Sequence, residues 1–279
     1  MNWRRAALPL ALALAPGGCG RPAALPVDAR PALFRVSDGD TTIWLLGSIH
    51  LLPPEIRWRT PAIEQAIGAA DELMIESAPD DRAGFAEVAR GQGLPPIASR
   101  VAVRDRAALD LAIARAGVAR ATLDPQKSWA AATMLATGDA IAGGATVADG
   151  VETVLWRAFA GRRRAGLYRA KDQLAMLDAL PSDLQDQMLA RALQPGERYV
   201  VVLRAWEKGD LTALDPRSDR GPLAGRLVGQ PNRRWADWIA ARMKRPGKVL
   251  VAIGAGHLAG PYALPAMLAG RDLRIERLQ

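Results

Sequence analysis

The chain has 279 residues, 49% hydrophobic, 24% charged and 5% aromatic, with a formal charge of +8. That apolar content excludes a disordered chain, one cysteine excludes an internal disulfide framework, and two histidines exclude a histidine-rich metal store. Only five of the 37 basic residues are lysines, which with the abundant alanine fits compositional drift rather than a nucleic-acid-binding stripe, so no nucleic acid partner is expected.

The N-terminus reads as an export signal. Arg4 and Arg5 precede an unbroken run of alanine, leucine and proline over residues 6–15, too short to span a membrane. Residues 1–18 are therefore expected to be a signal peptide. Cys19 follows Gly17-Gly18, where a bacterial lipoprotein carries its acylated cysteine, so membrane contact is expected only through a lipid anchor there. An ordinary secreted protein with an incidental cysteine is the alternative. Residues 19–31 read as a tether.

Leu33-Phe34-Arg35-Val36 and Thr41-Thr42-Ile43-Trp44-Leu45-Leu46 read as strands joined by the turn Ser37-Asp38-Gly39-Asp40. Residues 61–70 form a helix capped by Thr60, with Pro61 at its first position. Leu73-Met74-Ile75 is a short buried strand ending at Glu76. Helices are expected over residues 106–116, 124–137 (opened by Asp124-Pro125) and 151–160. Arg162-Arg163-Arg164 reads as a solvated helix end, with no stacking aromatics beside it. A strand over 165–168 leads to helices over 172–180 and 182–193, split by Pro181, and to another over 199–208. Residues 215–231 read as an exposed loop rich in glycine, proline and arginine. An amphipathic helix over 232–245 carries Trp235 and Trp238 on one face. The tryptophans as a set read as core or groove lining rather than a cofactor box. Lys248-Val249-Leu250-Val251-Ala252-Ile253 has the near-continuous apolar character of a central strand. A short helix over 265–269 and an edge strand over 273–278 complete the chain. No linker interrupts residues 32–279, which read as one α/β domain with a mixed central sheet and flanking helices.

Two strands end in the same way, in Gly47-Ser48-Ile49-His50 and in Gly254-Ala255-Gly256-His257. With 26 glycines in the chain, the chance that both histidines carry a glycine three residues before them is under about 1%. A glycine there permits close backbone approach, and it leaves each histidine just beyond the carboxyl end of a strand, where ligand sites of open α/β sheets form. Glu76 ends a third strand similarly. Two imidazoles and one carboxylate could converge on one divalent metal, leaving a position for water, while a second carboxylate accepts the proton. The same three groups also suit metal-free acid–base hydrolysis.

These segments resemble the TraB/GumN family, which includes the Tiki-type metalloproteases. The resemblance rests on 44–51 (WLLGSIHL), 73–76 (LMIE), Asp172-Gln173-Leu174, 232–239 and 251–258 (VAIGAGHL), and covers nearly all of 32–279. It implies a fold like erythromycin esterase and the haem-binding ChaN proteins, with the site at the carboxyl ends of the strands. It also implies, for its Tiki members, divalent-metal-dependent proteolysis; carried over to matching positions, His50, His257 and Glu76 look like the metal residues, and the metal expected is Mn, Co or Zn. Glu152 stands where the family often has an aspartate, and is carried over as a second catalytic carboxylate. Ser48 replaces the usual threonine, Tyr168 a usual glutamate, and Pro231 a usual arginine, with Arg233 and Arg234 close by. The expected function is an envelope-facing, exported metal-dependent hydrolase acting on a peptide or small-molecule substrate. The alternatives are a non-catalytic ligand- or haem-binding protein on the same fold, and a metal-free esterase-like enzyme.

Overall fold

A computed structural model describes residues 27–78, 84–215, 221–271 and 273–279. The expected signal peptide, Cys19 and most of the expected tether lie outside the described residues. The strands are β1 (Val27–Asp28), β2 (Leu33–Ser37), β3 (Thr41–Ser48), β4 (Ile56–Arg57), β5 (Glu72–Ser77), β6 (Arg163–Tyr168), β7 (Gly247–Gly254) and β8 (Ile275–Arg277). Six of them form one mixed sheet in the order β6-β5-β7-β3-β2-β8, and β1 pairs with β4 apart from it. The four strands from β6 to β3 run parallel; β2 and β8 add antiparallel at one edge.

The central strands are apolar on both faces because helices cover both. Trp44, Leu46, Leu73, Ile75, Leu250 and Ala252 face one core, closed by Ile63 and Ile67, Val151 and Leu155, and Leu203 and Trp206 from three helices. Their sequence neighbours Ile43, Leu45, Met74, Val249, Val251 and Ile253 face the opposite core, closed by Trp235, Ala236 and Ile239 and by Leu264 and Leu268. Strand alternation thus divides one apolar sequence run between two layers. A third, purely helical cluster joins Leu109 and Ala112, Ala131 and Leu135, and Leu189. Full burial of each such aliphatic side chain is worth roughly 1.5–3 kcal/mol.

Most expected elements are found, and three expectations are corrected. The helix expected from Asp124 begins at Ser128 and runs as Ser128–Ala142. Asp124 is spent elsewhere: its carboxylate accepts from Ile97 N at 2.9 Å, and its carbonyl accepts from the Arg100 guanidinium. Within the expected loop 215–231, Pro222–Ala224 and Gly225–Gly229 are helical and run into the helix Gln230–Arg242. Leu223 and Ala224 are buried there, so packing overrides the loop-like composition. The arginine cluster is not a solvated helix end. Arg162 donates to Ile67 O (2.6 Å) and Ala70 O (2.9 Å), tying down the open end of the helix Pro61–Ala69, while Arg163 and Arg164 begin β6.

Candidate functional site

The topology brings three chain positions to one place. β7 lies between β5 and β3, and all three are parallel, so their carboxyl ends are neighbours. Glu76 ends the buried part of β5, His50 follows β3, and His257 follows β7. Ser48 pairs with Gly254 in the ladder, so the two GxxH turns leave the sheet at one level.

The first glycine of the pair serves close approach rather than an unusual φ. A Cβ on Gly47 would stand 3.1 Å from both Ala255 Cβ and Leu258 Cδ1, atoms of the other GxxH segment. Each turn is thus packed on its counterpart. The Trp206 indole donates to Gly47 O at 2.9 Å and fixes the end of β3.

Each histidine is held through Nδ1. His50 Nδ1 lies 2.9 Å from Glu152 Oε1, and the Ser48 hydroxyl donates to the same oxygen. Glu152 sits in the first turn of the helix Val151–Ala158 and is 6% exposed, whereas the His50 side chain is 59% exposed. The other oxygen, Glu152 Oε2, is buried without a hydrogen-bond partner among the described residues. His257 Nδ1 lies 2.8 Å from Asn232 Oδ1, while Asn232 Nδ2 donates to His257 O (2.8 Å) and Tyr262 O (2.7 Å). Asn232 is fully buried, and all its polar atoms are used. The His257 ring packs against Trp235, with centroids 4.5 Å apart.

Glu76 is held between these groups. Its Oε1 accepts from Gln173 Nε2 at 2.9 Å, and its Oε2 accepts from Gly254 N at 3.3 Å. Beside Gly254, the space a Cβ would take is bounded by Glu76 Oε2 (3.4 Å) and His257 Cδ2 (3.7 Å). The Cδ2–Nε2 edge of His257 therefore shares this side with the carboxylate.

The two imidazoles differ electrostatically. The charge of Glu152 raises the His50 pKa well above 6.5, against desolvation and with help from the hydrogen bond and from Glu76. Burial alone would raise the Glu152 carboxyl, but His50 and the bonds from His50 and Ser48 outweigh it and hold it low. Burial lowers His257; Glu76 opposes that and His50 adds to it. Tyr168, at the end of β6, has its phenol raised by burial, with Arg234 pulling the other way.

Of the four residues expected from sequence, His50, Glu76 and His257 stand at these strand ends, and Glu152 reaches His50 from the helix Val151–Ala158. Among the described residues, however, no group of three or more His, Cys, Asp or Glu is gathered closely enough to hold a metal ion. Donor types nevertheless fit a divalent cation. Both imidazoles have Nδ1 tied to an oxygen, which leaves Nε2 as the remaining donor, the arrangement typical of ligating histidines. Glu76, and the unpartnered Glu152 Oε2, supply carboxylate oxygens. Ser48, Gln173 and Asn232 hold these groups in place; the sequence marked them only as parts of the resemblance and assigned them no role. Asn232 carried a usable signal, since it shares a helix face with Trp235 and Ile239 at spacings of three and seven. A polar residue on an otherwise buried stripe needs internal partners.

The chain is thus an α/β protein with a histidine–carboxylate centre at the carboxyl edge of a mixed sheet. It belongs to the TraB/PrgY/gumN family, whose profile matches residues 32–277. It is similar to the uncharacterized protein YbaP of Escherichia coli (strain K12), with 25% identity over 249 residues covering 85% of this chain and 92% of the relative. Identity and coverage are the same for YbaP of Shigella flexneri. No solved structure matches it.

Proposed function

We propose that this protein is a hydrolase of peptide or small-molecule substrates, centred on His50, Glu76, Glu152 and His257. The observation that carries this reading is the matched pair of anchored imidazoles at adjacent strand ends, with a buried carboxylate beside them. His257 and, once the cation has displaced its Nε2 proton, His50, both through Nε2, and Glu76 would hold a divalent cation such as Mn, Co or Zn. When bound, such a cation supplies Lewis acidity and a water of lowered pKa. Glu152 orients His50, and its unpartnered Oε2 accepts a proton. Asn232 sets the His257 ring and its tautomer. Gln173 and the Gly254 amide fix the rotation of Glu76. This layout supports the erythromycin esterase/ChaN-like fold, and the leader over residues 1–18 supports export to the periplasm, with lipid anchoring at Cys19.

The test is hydrolysis of a peptide library with Mn²⁺, Co²⁺ or Zn²⁺, together with metal analysis of purified protein. Hydrolysis should vanish in Glu76→Gln. Metal content should fall in His50→Ala and His257→Ala; equal content in all three proteins rejects ligation. A second reading, metal-free acid–base hydrolysis, is favoured by the absence of a gathered ligand trio among the described residues. It predicts hydrolysis that survives chelation. No hydrolysis under any condition would leave a non-catalytic binding protein.

A further inference from the structure

Beside the histidine–carboxylate centre is a cavity of about 250 Å³, lined by Met74, Leu167, Tyr168, Arg234, Trp235 and Trp238 among others. It shares no lining residue with the larger groove, about 440 Å³, among the helices, whose walls hold no titratable side chain. The smaller cavity is one ring away from His257, since Trp235 packs on that imidazole at 4.5 Å and on Tyr168 at 5.6 Å.

Its side-chain polar groups are the Arg234 guanidinium, the Tyr168 hydroxyl and the Trp235 indole N–H. The Trp235 indole N–H and the Tyr168 hydroxyl are buried without hydrogen-bond partners. Trp235 is 2% exposed. A buried donor left in that state is unfavourable, and a ligand oxygen would relieve it. Arg234 is exposed, forms no ion pair among the described residues, and approaches Tyr168 without reaching hydrogen-bond geometry. No acidic residue lines the cavity. The remaining walls are thioether, aliphatic and indole surface.

We infer that this cavity is a carboxylate-binding subsite, in which Arg234, Tyr168 and Trp235 receive an anionic oxygen pair while Met74, Leu167 and Trp238 take an apolar side chain. A guanidinium with neighbouring donors is the usual complement of a carboxylate. The volume lies below the roughly 300–1,000 Å³ of whole-ligand pockets, so it suits one residue of a longer ligand. This deepens the hydrolase reading and rests on it for the claim that the ligand is substrate. The occupant is a peptide carboxylate next to an apolar side chain, either the chain terminus or an acidic side chain.

The test is binding to the full-length Glu76→Gln protein, followed by tryptophan fluorescence and calorimetry. The probes are acetyl-Ala-Ala-Leu with a free carboxylate, its C-terminal amide, and acetyl-Ala-Glu-Leu-amide. Free acid should bind at least about tenfold more tightly than the amide. Arg234→Gln should abolish that preference, and Tyr168→Phe should reduce it. Arg234 is exposed, so its loss should leave folding intact, and circular dichroism checks this. If the glutamate peptide alone matches or exceeds the free acid, the site reads an acidic side chain rather than a terminus. Equal binding of all three probes, or a preference unchanged in Arg234→Gln, overturns the subsite. Wild-type hydrolysis is scored separately. Cleavage without acid preference sinks the subsite alone, and acid preference without cleavage sinks the hydrolase reading alone.

Discussion

His50 and His257 occupy opposite electrostatic settings, and because they are the only imidazoles their signals can be resolved without labelling schemes. In chelator-treated protein, NMR should show His50 titrating above 6.5 and His257 below it. The sign for stability follows. The His50 contribution is complete below pH 6.5 and is lost as pH rises through its raised folded value. The Glu152 contribution is present above 4.5 and lost as pH falls through its lowered one. His257, held neutral, contributes above 6.5 and loses that contribution on acidification. Glu152→Gln should bring the His50 titration down, because its first cause is the Glu152 charge; an unchanged titration would remove Glu152 as its partner. Asn232→Ala should destabilise the fold by about 2–4 kcal/mol in denaturant, since it removes the buried amide that bonds His257 Nδ1 and the carbonyls of His257 and Tyr262.

At the scale of elements, the turn before the helix Val151–Ala158 is what couples that helix to His50. A Cβ on Gly150 would lie 1.9 Å from His50 O, and Val151 N donates to Ile49 O at 3.1 Å. Gly150→Ala must therefore push the His50 backbone away from Glu152, costing about 1–3 kcal/mol by chemical denaturation and shifting the His50 titration toward 6.5. An unchanged, still raised titration in this variant would show that the turn does not set the dyad. The strands and the duplicated GxxH were legible in the sequence because apolar runs of β-formers and a rare residue leave few alternatives. The His50–Glu152 and His257–Asn232 pairings were not, because each joins residues far apart in sequence, through a layer whose position no local pattern encodes. The misread loop at 222–229 has the same origin. Gly and Pro there signal a turn locally, yet Leu223 packs with Leu180 and Leu184.

At the scale of the molecule, the two helical layers each hold one imidazole. Glu152 comes from the layer that buries Trp44 and Leu46, Asn232 from the layer that buries Ile43 and Leu45. The site is therefore clamped from both faces of the sheet, and a cation bound by both histidines would brace all three layers. A divalent metal at about 100 times its Kd should stabilise the wild type by about 2.7 kcal/mol, seen as a rise of several degrees in the thermal midpoint. The rise should be absent in His50→Ala; an equal rise there would place the metal elsewhere. The strand order has a further consequence for how the protein is made. β7 is the last of the parallel strands to be synthesised, yet it sits between β5 and β3. Until it arrives, those two strands flank an open slot with backbone donors and acceptors unpaired on both sides. Thr41 must wait for Gly247 to find its register. The keystone is laid last, so the histidine–carboxylate edge has no half-built form, and a chain held unfinished is prone to capture by foreign strands.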